Sequence, residues 1–188
     1  MSAAANMKVI DTNHDRWHEV TADDSLVAVP AAEPWSLLTI TQWQAVRASW
    51  PADVPVGLIV PNDVDIETVV ADLPRLQLVA LSFPKWVDGR AYSQARLLRM
   101  RYRFPREIRA TGEVLVDMLP LLQRTGFDAV VLRGDQSQDA ARRALGFFPG
   151  HYQGDVRDAQ PLFAKPDGTA DALVRKAAPQ FVSAGEGI

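Results

Sequence analysis

Four short apolar runs, starting near residues 56, 76, 107 and 129, alternate with segments of helical character, and this alternation constrains the fold more than any other feature of the chain. Val56–Val60 ends in Pro61-Asn62-Asp63, and a helix follows through about Leu73 with Ile66, Val69, Val70 and Leu73 on one face. Leu76–Phe83 is apolar at nearly every position, the pattern of a strand covered on both faces. A helix starting near Asp88 or Gly89 comes next, then a strand over Glu107–Thr111 and a helix from about Glu113 to Arg124 that Gly126 stops. The series ends with a strand over Ala129–Arg133 and a helix that Ser137 caps and Gly146 closes after Leu145. Pro120 falls inside the third of these helices and predicts a kink or break near Leu119. Repetition of this kind builds βαβ units, so the expected class is α/β with an open, mostly parallel sheet or a half-barrel, which share one sequence pattern. Four units are too few to close an eight-stranded barrel.

Upstream, Lys8–Ile10 and Ser25–Val29 are β-prone runs that predict an N-terminal edge region. Thr39 or Thr41 caps a helix reaching about Ser49, with Trp43, Val46 and Trp50 at core-facing spacing. The expected organisation is a disordered N-terminus over 1–6, one α/β domain over 7–157, and a partly disordered tail over 158–188. In that tail Pro, Asp, Gly, Ala and Ser dominate, with a short helix at most near Ala170–Ala177. There is no cysteine, which excludes disulfides, thiol redox chemistry and Cys-ligated metal. No run approaches the ~18 apolar residues of a membrane span and no secretory signal opens the chain, so the expectation is a cytoplasmic protein that does not engage a membrane.

The functional signal is a charge asymmetry. Between Lys85 and Arg109 lie Lys85, Arg90, Arg96, Arg99, Arg101, Arg103, Arg106 and Arg109 against only Asp88 and Glu107. That is a local charge of +6 in a chain of net charge −3, so the remainder carries −9. Guanidinium forks suit oxyanions, phosphates and carboxylates. At the end of the Leu76–Phe83 strand, Lys85, Arg90 and the following helix amides are placed for an anion. Arg90, in the first helical turn, is the expected ligand contact, while Arg96 and Arg99 serve packing pairs or a protein partner. The competing reading pairs these arginines with the acidic remainder of the molecule or with a neighbouring copy in a homo-oligomer. Asp88 and Gly89 read first as helix cap and turn. Glu107, Arg109, Glu113 and Asp117 form a second polar set. His14 and His18 have i,i+4 spacing without a predicted helix to exploit it, so no metal site is expected. No dinucleotide fingerprint, phosphate loop or nucleophile elbow occurs. Net charge −3 and a sequence pI near 5.6 argue against nucleic acid as partner.

Residues 83–99, FPKWVDGRAYSQARLLR, and 107–133, EIRATGEVLVDMLPLLQRTGFDAVVLR, resemble a bacterial family of unknown-function proteins. That family is described as "probable oxidoreductases" of sulfite reduction, typically encoded beside the sulfite reductase hemoprotein and the adenylylsulfate reductase. The likeness runs from about Ile10 to Tyr152-Gln153. Its recurring polar and glycine positions correspond to Asp88, Gly89, Arg90, Tyr92, Ser93, Arg96, Arg99, Glu107, Arg109, Gly112, Asp117, Gly126 and Asp128. The resemblance implies an accessory protein or oxidoreductase of assimilatory sulfite or sulfate reduction, with an Arg-rich anion- or partner-binding site. Alternatively it implies a non-catalytic anion- or nucleotide-binding module that docks on the sulfite reductase. The implied partners are sulfite reductase or another sulfate-assimilation enzyme, and a small oxyanion or phosphate-bearing ligand; no cofactor is specified. Where relatives read Arg-Cys-Gly-Phe-Asp, this chain has Arg124-Thr125-Gly126-Phe127-Asp128, which removes a thiol mechanism at that position. Where relatives read Asp-Gln, it has Asp117-Met118.

Overall fold

In the computed structural model, residues 7–20, 30–147, 151–166 and 169 are described. Two apolar strands form the middle of the sheet, β4 (Val56–Val60) and β5 (Leu76–Phe83), and the strands on either side of them are more polar. They are joined by β1 (Lys8–Val9), β2 (His18–Glu19), β3 (Ser36–Thr39), β6 (Glu107–Gly112) and β7 (Ala129–Val130). All pairings are parallel, in the order β1-β7-β6-β5-β4-β3-β2. From β2 to β7 each strand lies beside its successor, the winding of a barrel that has not closed: an open half-barrel, the second of the two architectures the sequence allowed. β1 sits at the edge beside β7.

The connection from β1 to β2 explains the curvature. Laid flat, the six steps between the two edge strands would span about 29 Å at ~4.8 Å each. Only nine peptide steps separate Val9 from His18, and three of those residues, Thr12–His14, form a 3-10 turn. Such a segment reaches roughly 26 Å at most. The edges must therefore curl towards each other, and the connection crosses the open side like a strap.

Side-chain alternation divides the two faces. Leu58, Val60, Val79, Leu81, Phe83, Ile108, Ala110 and Val130 join one core with residues of α1 (Ile40–Val46), α2 (Arg90–Met100), α3 (Leu119–Thr125) and α4 (Gln138–Phe147). All four helices thus cover the convex face. The opposite set, Leu37, Leu78 and Ala80, meets Trp17 of the strap. Gly57 makes that contact feasible: a Cβ there would lie 2.6 Å from Leu37 Cδ2 and 3.0 Å from the Trp17 ring. Trp17 in turn packs edge-on against Trp35, with ring centroids 5.3 Å apart. An indole thus plugs the concave face, and β5 is covered on both sides as its composition demands.

Several local expectations need correction. β2 and β3 lie where no strand was expected, and the helices expected after β4 and β6 wind differently. The segment after β4 is a 3-10 helix, Ile66–Arg75, containing Pro74, whose ring cannot sit inside an α-helix without losing a hydrogen bond. After β6 the chain makes a 3-10 turn at Val116–Met118, and α3 begins only at Leu119. Pro120 then occupies the first turn, where no amide hydrogen is needed, and starts the helix rather than kinking it. Gly126 ends α3 in the left-handed region at φ 108°. Gly146 does not close α4, which runs to Phe147. Thr39 is the N-cap of α1 and forms a reciprocal capping box with Gln42. Among the described tail residues Leu162–Ala164 form a 3-10 turn, and Lys165 pairs with Asp158. The strand expected at Ser25–Val29, the disordered N-terminus over 1–6 and the helix near Ala170–Ala177 lie outside the described residues.

Candidate ligand cavity and cationic helix face

Two features stand out, on opposite faces of the sheet. The first is a cavity of about 280 Å³ on the concave side, between the strap and the inner faces of β2, β3 and β6. Thr12, Asp15, Trp17 and Glu19 line it from the strap and β2, Leu37 from β3, and Arg109, Thr111, Gly112 and Val131 from β6 and just beyond β7. Alternation along β6 puts Ile108 and Ala110 into the helix-side core and Arg109 between them onto the concave face.

Arg109 is the charged centre of this cavity and is only 2 % exposed. Its Nε donates to Glu107 Oε1 at 2.8 Å, its Nη2 lies 2.7 Å from the same oxygen, and its Nη1 donates to Asp15. Asp15 also accepts the Trp17 backbone N–H at 3.3 Å, which fixes the strap end of the pair. A buried guanidinium requires partners, and two carboxylates supply them. Gly112, at the cavity rim, has φ +92°, and a Cβ there would come within 2.5 Å of the Phe83 carbonyl oxygen, so this turn admits glycine alone.

The second feature is the outer face of α2 with the turn before it. Ala91, Ala95 and Leu98 are fully buried, which fixes the helix orientation. Gln94, also buried, donates to the Pro61 and Val64 carbonyls at 2.9 and 2.8 Å. Tyr92 stacks edge-on against Phe83 and Phe127, at 5.2 and 6.4 Å between centroids, and burial raises its pKa. Outward face Ser93, Arg96, Leu97 and Met100. Preceding them in the β5–α2 turn are Lys85, Trp86 and Val87, all exposed, with Trp86 at 56 % and Met100 at 53 %.

The cations of the band divide into two groups. Arg90 pairs with Asp88, Arg99 with Asp128, Arg101 with Glu67, and Arg109 with Asp15 and Glu107. Among the described residues, Lys85, Arg96, Arg103 and Arg106 have no carboxylate within pairing distance. Asp88 does not cap α2; Gly89 is the N-cap, and Asp88 instead holds both the backbone N–H of Arg90, at 3.3 Å, and its guanidinium, at 2.7 Å. That guanidinium keeps the Asp88 carboxyl far below the usual carboxylate range. Arg99 reaches inward: it donates to Gly126 O at 2.9 Å, to Arg106 O at 2.8 Å, to Phe104 O and to Asp128. Asp128 also accepts the Ile108 N–H at 2.9 Å, so Arg99 ties α2 to the starts of β6 and β7. Burial lowers the Arg99 pKa, opposed by the Asp128 charge.

The residues singled out from sequence therefore do not converge on one pocket. Glu107 and Arg109 belong to the concave cavity. Lys85, Ser93 and Arg96 face solvent around α2, with the Asp88–Arg90 pair at its start, while Tyr92 and Arg99 hold that helix down. Asp117 is exposed in the 3-10 turn, and Glu113 pairs with Arg133 at 2.8 Å. His14 bonds Asp11, and His18 lies on β2 beside Ser36 and Glu33. Asp15, Trp17 and Glu19 escaped the sequence reading altogether; the strap is aperiodic, and Asp15 lies 94 residues from Arg109.

A family model described as "Bacterial protein of unknown function (DUF934)" matches residues 57–163, more than half of the chain. The chain belongs to the DUF934 family. No curated protein matches it. The DUF934 match takes in β4 from Gly57 on, β5 to β7, all of α2 and both Glu107 and Arg109. Asp15, Trp17 and Glu19 precede it, so the cavity is walled half by the matched part and half by the strap. No helix among the described residues is long and apolar enough to cross a membrane.

Proposed function

We propose that this protein is an accessory binding module of assimilatory sulfite reduction, working in the cytoplasm by docking its α2 face on an acidic surface of the sulfite reductase hemoprotein. One observation carries the reading: the exposed apolar side chains Trp86, Val87, Leu97 and Met100 are interleaved with Lys85, Arg96 and Arg103, cations that no carboxylate of the described residues neutralises. Solvated helix faces are commonly polar throughout, whereas protein interfaces combine aromatic residues, methionine and arginine. The exposed cations Lys85, Arg96 and Arg103 give this face a local positive charge that favours an acidic partner. The metabolic assignment rests on the family resemblance at FPKWVDGRAYSQARLLR, the turn and helix that form this face.

The reading is tested in the source bacterium by deleting the gene and comparing growth on sulfate with growth on cysteine as sole sulfur source. Growth on sulfate is expected to slow while growth on cysteine is unchanged. Restoration is expected from the parent gene but not from one carrying Arg96→Glu and Met100→Glu. Unimpaired growth of the deletion strain on sulfate contradicts the proposal.

A further inference from the structure

The concave cavity has a charge balance opposite to that of the α2 face. Among its lining residues Asp15 and Glu19 are anionic and Arg109 is cationic, and Glu107 holds Arg109 from its other side. Two carboxylates, Asp15 and Glu107, thus hold the one guanidinium, and Glu19 adds a third carboxylate to the site. Arg109 spends its Nε and one N–H on each terminal nitrogen on Glu107 and Asp15, so its charge is compensated within the fold. Lys8, which shares the concave face through its register with Ala129 and Arg109, is exposed and does not line the cavity. A sulfite or phosphate entering here would meet a net negative wall. The rest of the lining is apolar or hydroxylic: the Trp17 indole, Leu37 and Val131, with Thr12 and Thr111. At about 280 Å³ the space suits a small molecule and lies at the low end of ligand pockets.

We propose that this cavity binds a small organic cation, a primary amine with a short apolar body. Its ammonium takes the Asp15 and Glu19 carboxylates and a threonine hydroxyl as acceptors, and its apolar body lies against Trp17, Leu37 and Val131. An ammonium is a three-donor group that carboxylates and hydroxyls satisfy, and an indole adds attraction for a nearby cation. Asp15 and Glu19 lie on the strap and on β2 and Thr111 on β6, so an amine that also bonds the Thr111 hydroxyl links the strap to β6 across the open side of the half-barrel. Site and ligand are independent of the α2 docking face.

The test is calorimetric titration of the full-length protein at pH 7 with isopentylamine, isopentanol, isovalerate and sulfite. These four probes separate charge from shape. Isopentylamine is expected to bind and raise the melting temperature, isopentanol to bind at least about tenfold more weakly, and the two anions not to bind. Glu19→Gln, at an exposed position that the fold does not need, is expected to weaken isopentylamine about tenfold without changing the melting temperature of the free protein. Asp15→Asn is expected to weaken it further but also removes a partner of Arg109, so Glu19→Gln is the deciding variant. Tighter binding of isovalerate or sulfite than of the amine, no amine binding up to 10 mM (set by roughly the weakest affinity of interest), or an unchanged affinity in Glu19→Gln each overturns the assignment. Arg96→Glu on α2 is expected to leave amine affinity unchanged, which separates this inference from the docking proposal.

Discussion

Arg99 and Arg96 sit three residues apart on one helix and have opposite roles, which shows how little a charge alone says. Arg99 is 14 % exposed and spends its whole fork on three carbonyls and Asp128. Arg96 faces water with no carboxylate of the described residues in reach. Replacing Arg99 by Gln leaves several buried acceptors unpaired and is expected to destabilise the fold by about 2–3 kcal/mol, discounted for the partial exposure of Asp128. Arg96→Gln is expected to stay within about ±0.5 kcal/mol of the parent. Urea unfolding followed by fluorescence of the buried Trp17, Trp43 and Trp50 checks both, and equal stabilities would contradict the inward role of Arg99. The 3.6-residue helical period sets both arginines beside the buried stripe of Ala91, Ala95 and Leu98. It could not place Phe104, Gly126 and Asp128 beneath one of them, because those partners come from the start of β6 and the end of α3.

At the scale of elements, the strands and helices carried by long apolar runs were readable directly. β5 and the buried stripe of α2 follow from periodicity alone, and Gly126 announces the end of α3 because only glycine enters φ 108° without strain. β2 and β3 were not readable: His18–Glu19 offers no apolar alternation, and Ser36–Thr39 runs directly into α1. The segment after α4 is held by Arg157, which donates to Gln123 O at 3.1 Å and Phe127 O at 2.8 Å, and by the Val156 N–H on Arg124 O at 3.2 Å. His151 begins this segment. Burial, and then the Arg124 charge, push its pKa below the ordinary 6.5. A base whose folded pKa is depressed costs the native state nothing above its unfolded value, and it costs stability as pH falls through 6.5 towards the lowered value. The melting temperature of the parent relative to His151→Gln is therefore expected to be constant above about pH 7.5 and to drop as pH approaches 5.5. A pH-independent difference would contradict this placement of His151.

The whole molecule is a half-barrel with two unlike faces. Its convex side is covered by helices, and outermost lies a basic-apolar strip on α2. Its concave side is spanned by the strap, which borders the cavity lined by Asp15, Glu19 and Arg109. The charge split of +6 and −9 was visible in the sequence as a partition along the chain, but the separation of Arg96 on the helix face from Arg109 in the cavity was not. That separation depends on which side of β6 Arg109 points, and on a strap whose key residue, Asp15, carries no periodic signal. The central claim concerns the strip, and sedimentation velocity of the purified protein mixed with the sulfite reductase hemoprotein tests it most directly. The parent is expected to co-sediment at low salt and to dissociate as salt rises to about 0.5 M, where exposed charges are screened beyond a few ångström. Arg96→Glu combined with Met100→Glu is expected to abolish the complex while the melting temperature holds, and Arg142→Glu on α4, a charge reversal away from the strip, is expected to preserve it. A complex that survives the α2 substitutions, or one that Arg142→Glu weakens equally, would contradict the account.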